Sequence, residues 1–219
     1  MARTRYFTFA ASRHGDAVGV DTTHPDKRAA DIARPLSYKG RQQAADVERA
    51  IRAEGLTFDT VLASHALRAI ETISVVTGFE QQRIIQVPAL YMPDGDDGAI
   101  MDGQFGGLGY VPAAAYLDHA RKAGPVLERY KKSSAAGILD ALGIHSIYDV
   151  PDGAVIGIGG HAVCNSLAFA GLLECLPHAK EIIDAILNLD PSHPAVTFVV
   201  NGDTQGDVPL TFEVLYPAN

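Results

Sequence analysis

Cysteine is scarce in this 219-residue chain: only Cys164 and Cys175 occur, with no CxxC pair and no disulfide-rich spacing. A disulfide scaffold is set aside, and a reducing compartment is the easier fit. Long apolar runs are missing as well. No stretch of about 18 uncharged apolar residues occurs, and a membrane span is not expected. Nor does a signal-peptide apolar segment follow Met1-Ala2-Arg3-Thr4-Arg5, so the expected location is the cytoplasm. Runs of basic residues are also lacking: none is longer than Lys131-Lys132, and the formal net charge is -8. The broad positive face that counterion release requires is not evident, and nucleic acid is not an expected partner. Among the eight histidines there is no HExxH and no close pair at helical ligand spacing, so no metal site is expected. Walker and GxSxG motifs are missing too. Gly157-x-Gly159-x-x-Ala162 imitates a dinucleotide fingerprint, but the acidic residue due about 20 positions later falls in the helical pattern at Glu181 or Asp184. No cofactor is expected, and nothing in the sequence fixes an oligomeric state.

What is present is ordinary globular material, with 47% hydrophobic and 20% charged residues. The length suits one domain over 1–219, with an insertion or lid region at about 91–150. Residues 6–11 are short, aromatic and apolar and run into the polar Ser12-Arg13-His14-Gly15, a buried strand entering a functional loop. Residues 16–35 show little periodicity. Ser37 is placed to N-cap a helix in which Ala44, Val47 and Ile51 share a face and which Gly55 ends. Residues 59–63 form a second buried strand. After Ser64 comes a helix whose Leu67, Ile70 and Val75 face a core before Gly78 stops it, and 84–87 is a third strand. Residues 91–109 are too glycine-rich for regular structure and read as a lid or substrate loop. Helical segments at 112–123 and 125–142 precede a strand at 154–158 and the loop Gly159-Gly160-His161. Helices at about 165–176 and 179–189 follow, then strands at 195–200 and 210–215 joined as an antiparallel hairpin. Strands separated by helices predict an α/β fold, a three-layer α/β/α sandwich with a mostly parallel sheet and helices on both faces. Its ligand sites lie beyond the carboxyl ends of the strands.

Three of those strand ends carry residues suited to one chemistry. A phosphoryl group in transfer spreads negative charge over its oxygens, so a metal-free catalyst needs one nucleophile ringed by fixed cations and N–H donors. His14 follows Arg13 at the end of the first strand, Arg68 opens the helix after the second, and His161 ends the strand near 158. Arg13-His14-Gly15 resembles the signature of the histidine phosphatase, or phosphoglycerate mutase-like, superfamily. Further blocks match in order: Leu36-Ser37-x-x-Gly40-x-x-Gln43-Ala44, Ser64-x-x-x-Arg68-Ala69-x-x-Thr72, and Gly160-His161 followed by Leu167-Ala168. The resemblance implies a phosphoglycerate mutase-like fold, a metal-independent phosphatase, His14 as the nucleophile that becomes phosphorylated, Arg13 and Arg68 as ligands of the phosphoryl oxygens, and His161 completing the pocket. Gly15-Asp16-Ala17 and Asp31-x-x-Arg34-Pro35-Leu36-Ser37 are similar to the SixA-like phosphohistidine phosphatase branch, which brings Arg34 into the pocket. Two features depart from that branch: the added length at 91–150, and Ser12 where an apolar residue is more familiar.

The leaving group is the open question. An alcohol, with a pKa near 16, needs a proton from a general acid, whereas an imidazole, near 7, needs far less help. The acid-phosphatase branch places Asp after the second histidine, but Ala162 stands there; the mutase branch uses Glu after the third strand, where this chain has Leu90-Tyr91-Met92. Asp16 and, from the Gly-rich stretch, Asp94, Asp96, Asp97 and Asp102 are the remaining candidates. The expected partner is therefore a phosphorylated substrate, with a phosphohistidine protein first and a small phosphomonoester such as a sugar phosphate second. The alternative of another class is a non-catalytic phosphate-binding or regulatory relative.

Overall fold

The computed structural model describes residues 5–123 and 125–217. Met1 to Thr4, the start of the N-terminal stretch read above, lie outside the described residues. The strands are β1 (Tyr6–Arg13), β2 (Thr60–Ala63), β3 (Ile85–Gln86), β4 (Ala154–Gly160), β5 (Thr197–Asp203) and β6 (Thr211–Tyr216). They form one sheet in the order β3-β2-β4-β1-β5-β6. The first four strands of that order run parallel, and β5 is antiparallel to both β1 and β6.

The helices are α1 (Lys27–Ile32), α2 (Tyr38–Ala53), α3 (Leu67–Thr77), α4 (Gly95–Leu108), α5 (Ala113–Ala123), α6 (Val126–Ala141), α7 (Ala162–Leu173) and α8 (Lys180–Leu187). Side chains alternate across a strand, and the sheet divides its core accordingly. On one face Phe7, Phe9 and Ala11 of β1 pack with Ile156, Ile158 and Phe198 against Ile138 of α6, Phe169 and Leu173 of α7 and Ile186 of α8. On the other, Ala10 and Val61 pack against Ala44, Val47 and Ile51 of α2 and Ile70, Ile73 and Val76 of α3. This is the α/β/α sandwich of the sequence pattern. Each fully buried Phe or Leu contributes roughly 1.5–3 kcal/mol of transfer free energy. Among the described residues no helix is long and apolar enough to cross a membrane.

Several local expectations are corrected. The Gly-rich stretch is not an irregular loop: α4 occupies 95–108 of it. Intrinsic propensity loses here to tertiary packing. Met101 is fully buried, Phe105 packs edge-on against Tyr116 of α5 at 4.9 Å, and Asp96 and Asp97 in the first turn favour the positive end of the helix dipole. Val75 is exposed, and Ile73 and Val76 fill the core instead. The helix expected from 165 begins at Ala162, with His161 as its N-cap. The aperiodic 16–35 segment holds α1, capped by the Asp26 carboxylate on the Ala29 N–H at 2.9 Å.

Candidate active site

The carboxyl ends of β1, β2 and β4 open into a cavity of about 460 Å³ lined by Arg13, His14, Asp16, Asp31, Arg34, Arg68 and His161, with a wall of residues from 91 to 116. A site beyond parallel strand ends, where connections diverge, is what this architecture provides.

The loop after β1 is pinned from several sides. Gly15 and Gly40 let it press against the start of α2: a Cβ on Gly15 would lie 2.6 Å from the Gly40 carbonyl, and one on Gly40 only 1.9 Å from the Asp16 carbonyl. Side chains of the matching blocks complete the clamp. Thr72 Oγ1 accepts from the Gly15 N–H at 3.1 Å and donates to the Arg68 carbonyl at 2.7 Å, and Gln43 Oε1 accepts from the Asp16 N–H at 2.8 Å. Ser12, the unusual polar residue before Arg13, is buried but satisfied: its hydroxyl meets that of Thr197 on β5 at 2.9 Å.

This clamp fixes the tautomer of His14. Nδ1 lies 2.7 Å from the Gly15 carbonyl oxygen, which can only accept, so Nδ1 carries the proton. The lone pair is therefore on Nε2, which accepts from the Arg68 Nε–H at 3.3 Å. Burial, then the positive charge of Arg68, lower the His14 pKa to about 3, against the opposing pull of the Gly15 carbonyl. The ring is neutral at neutral pH and its lone pair faces the cavity's cations. An NMR titration of the free protein is expected to show no His14 midpoint above about pH 4; a midpoint near 6.5 contradicts this environment.

The cations are held in turn. Arg68 is buried on the first turn of α3, donates through one terminal nitrogen to the Asp31 carbonyl, and pairs through the other with Asp31 Oδ2 at 2.8 Å. Arg34 pairs with Asp31 Oδ1 at 2.8 Å and donates to the Val18 carbonyl at 2.7 Å. Tyr91 donates its hydroxyl to Asp31 Oδ2. Partial burial pushes the Asp31 carboxyl up, but the Tyr91 and Arg34 hydrogen bonds and the charge of Arg68 outweigh it and hold the carboxyl at about 2. Burial and the Asp31 carboxylate raise the Tyr91 phenol to about 12. Arg13 donates to the Pro191 carbonyl and, at 3.1 Å, to the His193 carbonyl, and its guanidinium lies over the Tyr110 ring at 5.3 Å. His161 shares a 3.0 Å hydrogen bond with Ser64 and sits edge-on to both His14 and Tyr91, with ring centroids 5.0 Å apart in each case. Burial first, then unfavourable electrostatic interaction with the neighbouring His14 ring and with Arg68, carry the His161 pKa well below its usual value. Behind it the N-terminus of α7, at Ala162 and Val163, opens on the cavity, a natural anion-binding geometry.

The structure thus brings Arg13, His14, Arg34, Arg68, His161 and Asp16 to one cavity. Asp16 accepts from the Ser37 hydroxyl at 2.6 Å. The carboxylates of the Gly-rich stretch lie elsewhere: Asp94 pairs with Arg28 at 2.7 Å, Asp97 pairs with Arg129 at 2.5 Å, and Asp96 and Asp102 are exposed on α4. Asp31 and Tyr91 stand in stretches quoted from the sequence, Asp31-x-x-Arg34 and Leu90-Tyr91-Met92, but the sequence reading gives them no place in the site and does not single out Tyr110. Asp31 could be found from its spacing three residues before Arg34; Tyr91 and Tyr110 carry no local signal.

The architecture is the phosphoglycerate mutase-like fold. It is shared over nearly the whole chain with a phosphoglycerate mutase from Bacillus anthracis (TM-score 0.54, 19% identity, 96% of this chain and 93% of that one). SixA from Agrobacterium tumefaciens, assigned as a phosphohistidine phosphatase, aligns with a TM-score of 0.52 at 14% identity over 96% and 98% of the two chains. A phosphoserine phosphatase from Entamoeba histolytica aligns at 0.53 and 15% identity over 89% and 90%. No protein-family model and no curated protein matches the sequence.

Proposed function

We propose that this protein is a metal-independent phosphatase working through a phosphohistidine on His14. The observation that carries this reading is the His14 geometry: a neutral ring whose proton is held on Nδ1 by Gly15, leaving Nε2 as a lone pair beside Arg68. Arg13, Arg68 and Arg34, with the α7 N-terminus, supply the positive field that a transferring phosphoryl group needs without a metal. The fold shared with a mutase and with phosphatases supports the same reading.

In this scheme Nε2 attacks phosphorus while Arg13 and Arg68 take the oxygens. The phosphorylated ring becomes cationic, and the Gly15 carbonyl on Nδ1–H stabilises that charge. Water then cleaves the N–P bond, splitting one difficult displacement into two easier ones. Asp31 holds Arg68 and Arg34 in register and does not touch the reacting atoms. The whole chain, 91–150 included, acts as one catalytic domain, with residues of 91–116 forming a wall of the cavity.

Turnover of an aryl phosphate in the presence of a strong chelator tests the reading. Hydrolysis at an undiminished rate is expected. Failure to hydrolyse either an aryl phosphate or a phosphohistidine peptide would favour the non-catalytic, phosphate-binding alternative.

A further inference from the structure

The cavity is larger than a phosphate requires, and its two sides differ in character. The charged and titratable side chains lining it come from residues 13 to 34, from Arg68 and from His161. The 91–116 segment contributes only Tyr91, Met92, Phe105, Gly109, Tyr110 and Tyr116 to the lining. Of these phenols, Tyr91 donates its hydroxyl to Asp31 and Tyr116 donates to the Gly109 carbonyl. Met92, Phe105 and Val163 back onto the apolar cluster of α4, α5, α6 and α7. The third phenol, Tyr110, is engaged by Arg13, so that wall offers contact area, aromatic faces and a single hydroxyl at its charged edge. The volume falls within the range of about 300–1,000 Å³ typical of small-molecule sites.

Resting on the phosphatase reading above, we infer that the substrate is a small, otherwise uncharged aryl phosphate monoester. Its ring lies against Phe105, Tyr116, Met92 and Val163, and its phosphate lies between His14, Arg13 and Arg68. A charged leaving group, such as a carboxylated sugar acid, meets no free counter-charge on this wall. A polyhydroxylated sugar leaves its hydroxyls facing methyl and aromatic groups, which costs binding.

The chemistry agrees with the shape. Asp16, the sequence candidate that reaches the cavity, has its carboxylate tied to the Ser37 hydroxyl, and the Asp31 carboxyl at about 2 and the Tyr91 phenol at about 12 are both poorly matched to giving up a proton near neutral pH. A phenolic leaving group, with a pKa near 10, departs without that help. Nε2 of His14 forms the N–P bond as the P–O bond to the ring breaks. The aryloxide leaves with the electron pair and takes a proton released when water attacks the phosphoenzyme. That attack frees inorganic phosphate and restores neutral His14.

The test compares kcat/KM for 1-naphthyl phosphate, glycerol phosphate, 3-phosphoglycerate and a phosphohistidine protein on the full-length enzyme. The aryl ester is expected to lead by at least about 100-fold. Phe105→Ala is expected to raise KM for it about tenfold with kcat within about threefold, and Phe105→Leu, which keeps the apolar wall, to give an intermediate KM. A lead for the sugar phosphates or for the phosphohistidine protein overturns this inference and leaves the phosphatase reading standing. No turnover of any of the four, with no phosphate on His14, overturns both.

Discussion

Replacing His14 with alanine is expected to lower aryl phosphate hydrolysis by about 10⁴-fold or more and to abolish the phosphoenzyme, since the covalent route then has no nucleophile. The other groups at the cavity do not substitute for it. Burial pushes the Cys164 thiol up to about 11, so thiolate is rare at neutral pH. One ring nitrogen of His161 is engaged by Ser64. Because the lost side chain makes one hydrogen bond to the adjacent Gly15 carbonyl and one to Arg68 at the edge of a cavity, the fold is expected to survive. Steady-state kinetics beside a thermal melt check both halves; a variant that retains a tenth of the wild-type rate contradicts the nucleophile assignment.

Arg68→Ala is expected to do damage of two kinds. Loss of a charged donor to the transferring phosphoryl group lowers kcat by about 10²–10³-fold. Stability also falls, by about 1–3 kcal/mol, because the Asp31 carboxylate loses its buried partner while Tyr91 still points at it. Arg68→Lys separates the two. An ammonium keeps the charge but cannot reach His14 Nε2 and both Asp31 oxygens through one planar fork. It is expected to recover much of the stability and little of the rate. Kinetics with denaturant titrations of both variants measure this split; equal recovery of rate and stability contradicts a positioning role for the guanidinium plane.

Much of the sheet is legible in the sequence because buried strands and βα alternation leave strong patterns: the 6–11, 59–63 and 154–158 runs all fall within or beside strands. The meeting of Arg13, His14, Arg68 and His161 follows from the same alternation, which delivers successive strand ends to one edge. Other parts have no local trace. The α4 helix rests on Met101 and Phe105 finding distant partners, which outweigh four interior glycines. Tyr91 enters the site at the end of a single 3₁₀ turn, Pro88–Leu90, that follows β3 and leaves its hydroxyl on Asp31. Gly40 and Thr72 stand in the matching blocks, but their purpose, pressing the His14 loop into place, appears only when α2 and α3 are set beside it.

The central claim is that phosphate passes through His14 Nε2. Its most direct measurement is rapid quenching under alkaline conditions during turnover of an aryl phosphate, followed by mass-spectrometric mapping of the phosphorylated peptide. The expected result is a single phosphohistidine at His14, bonded through Nε2, which forms and decays fast enough to account for kcat. Phosphate on another residue, or turnover with no phosphoenzyme, would contradict the account.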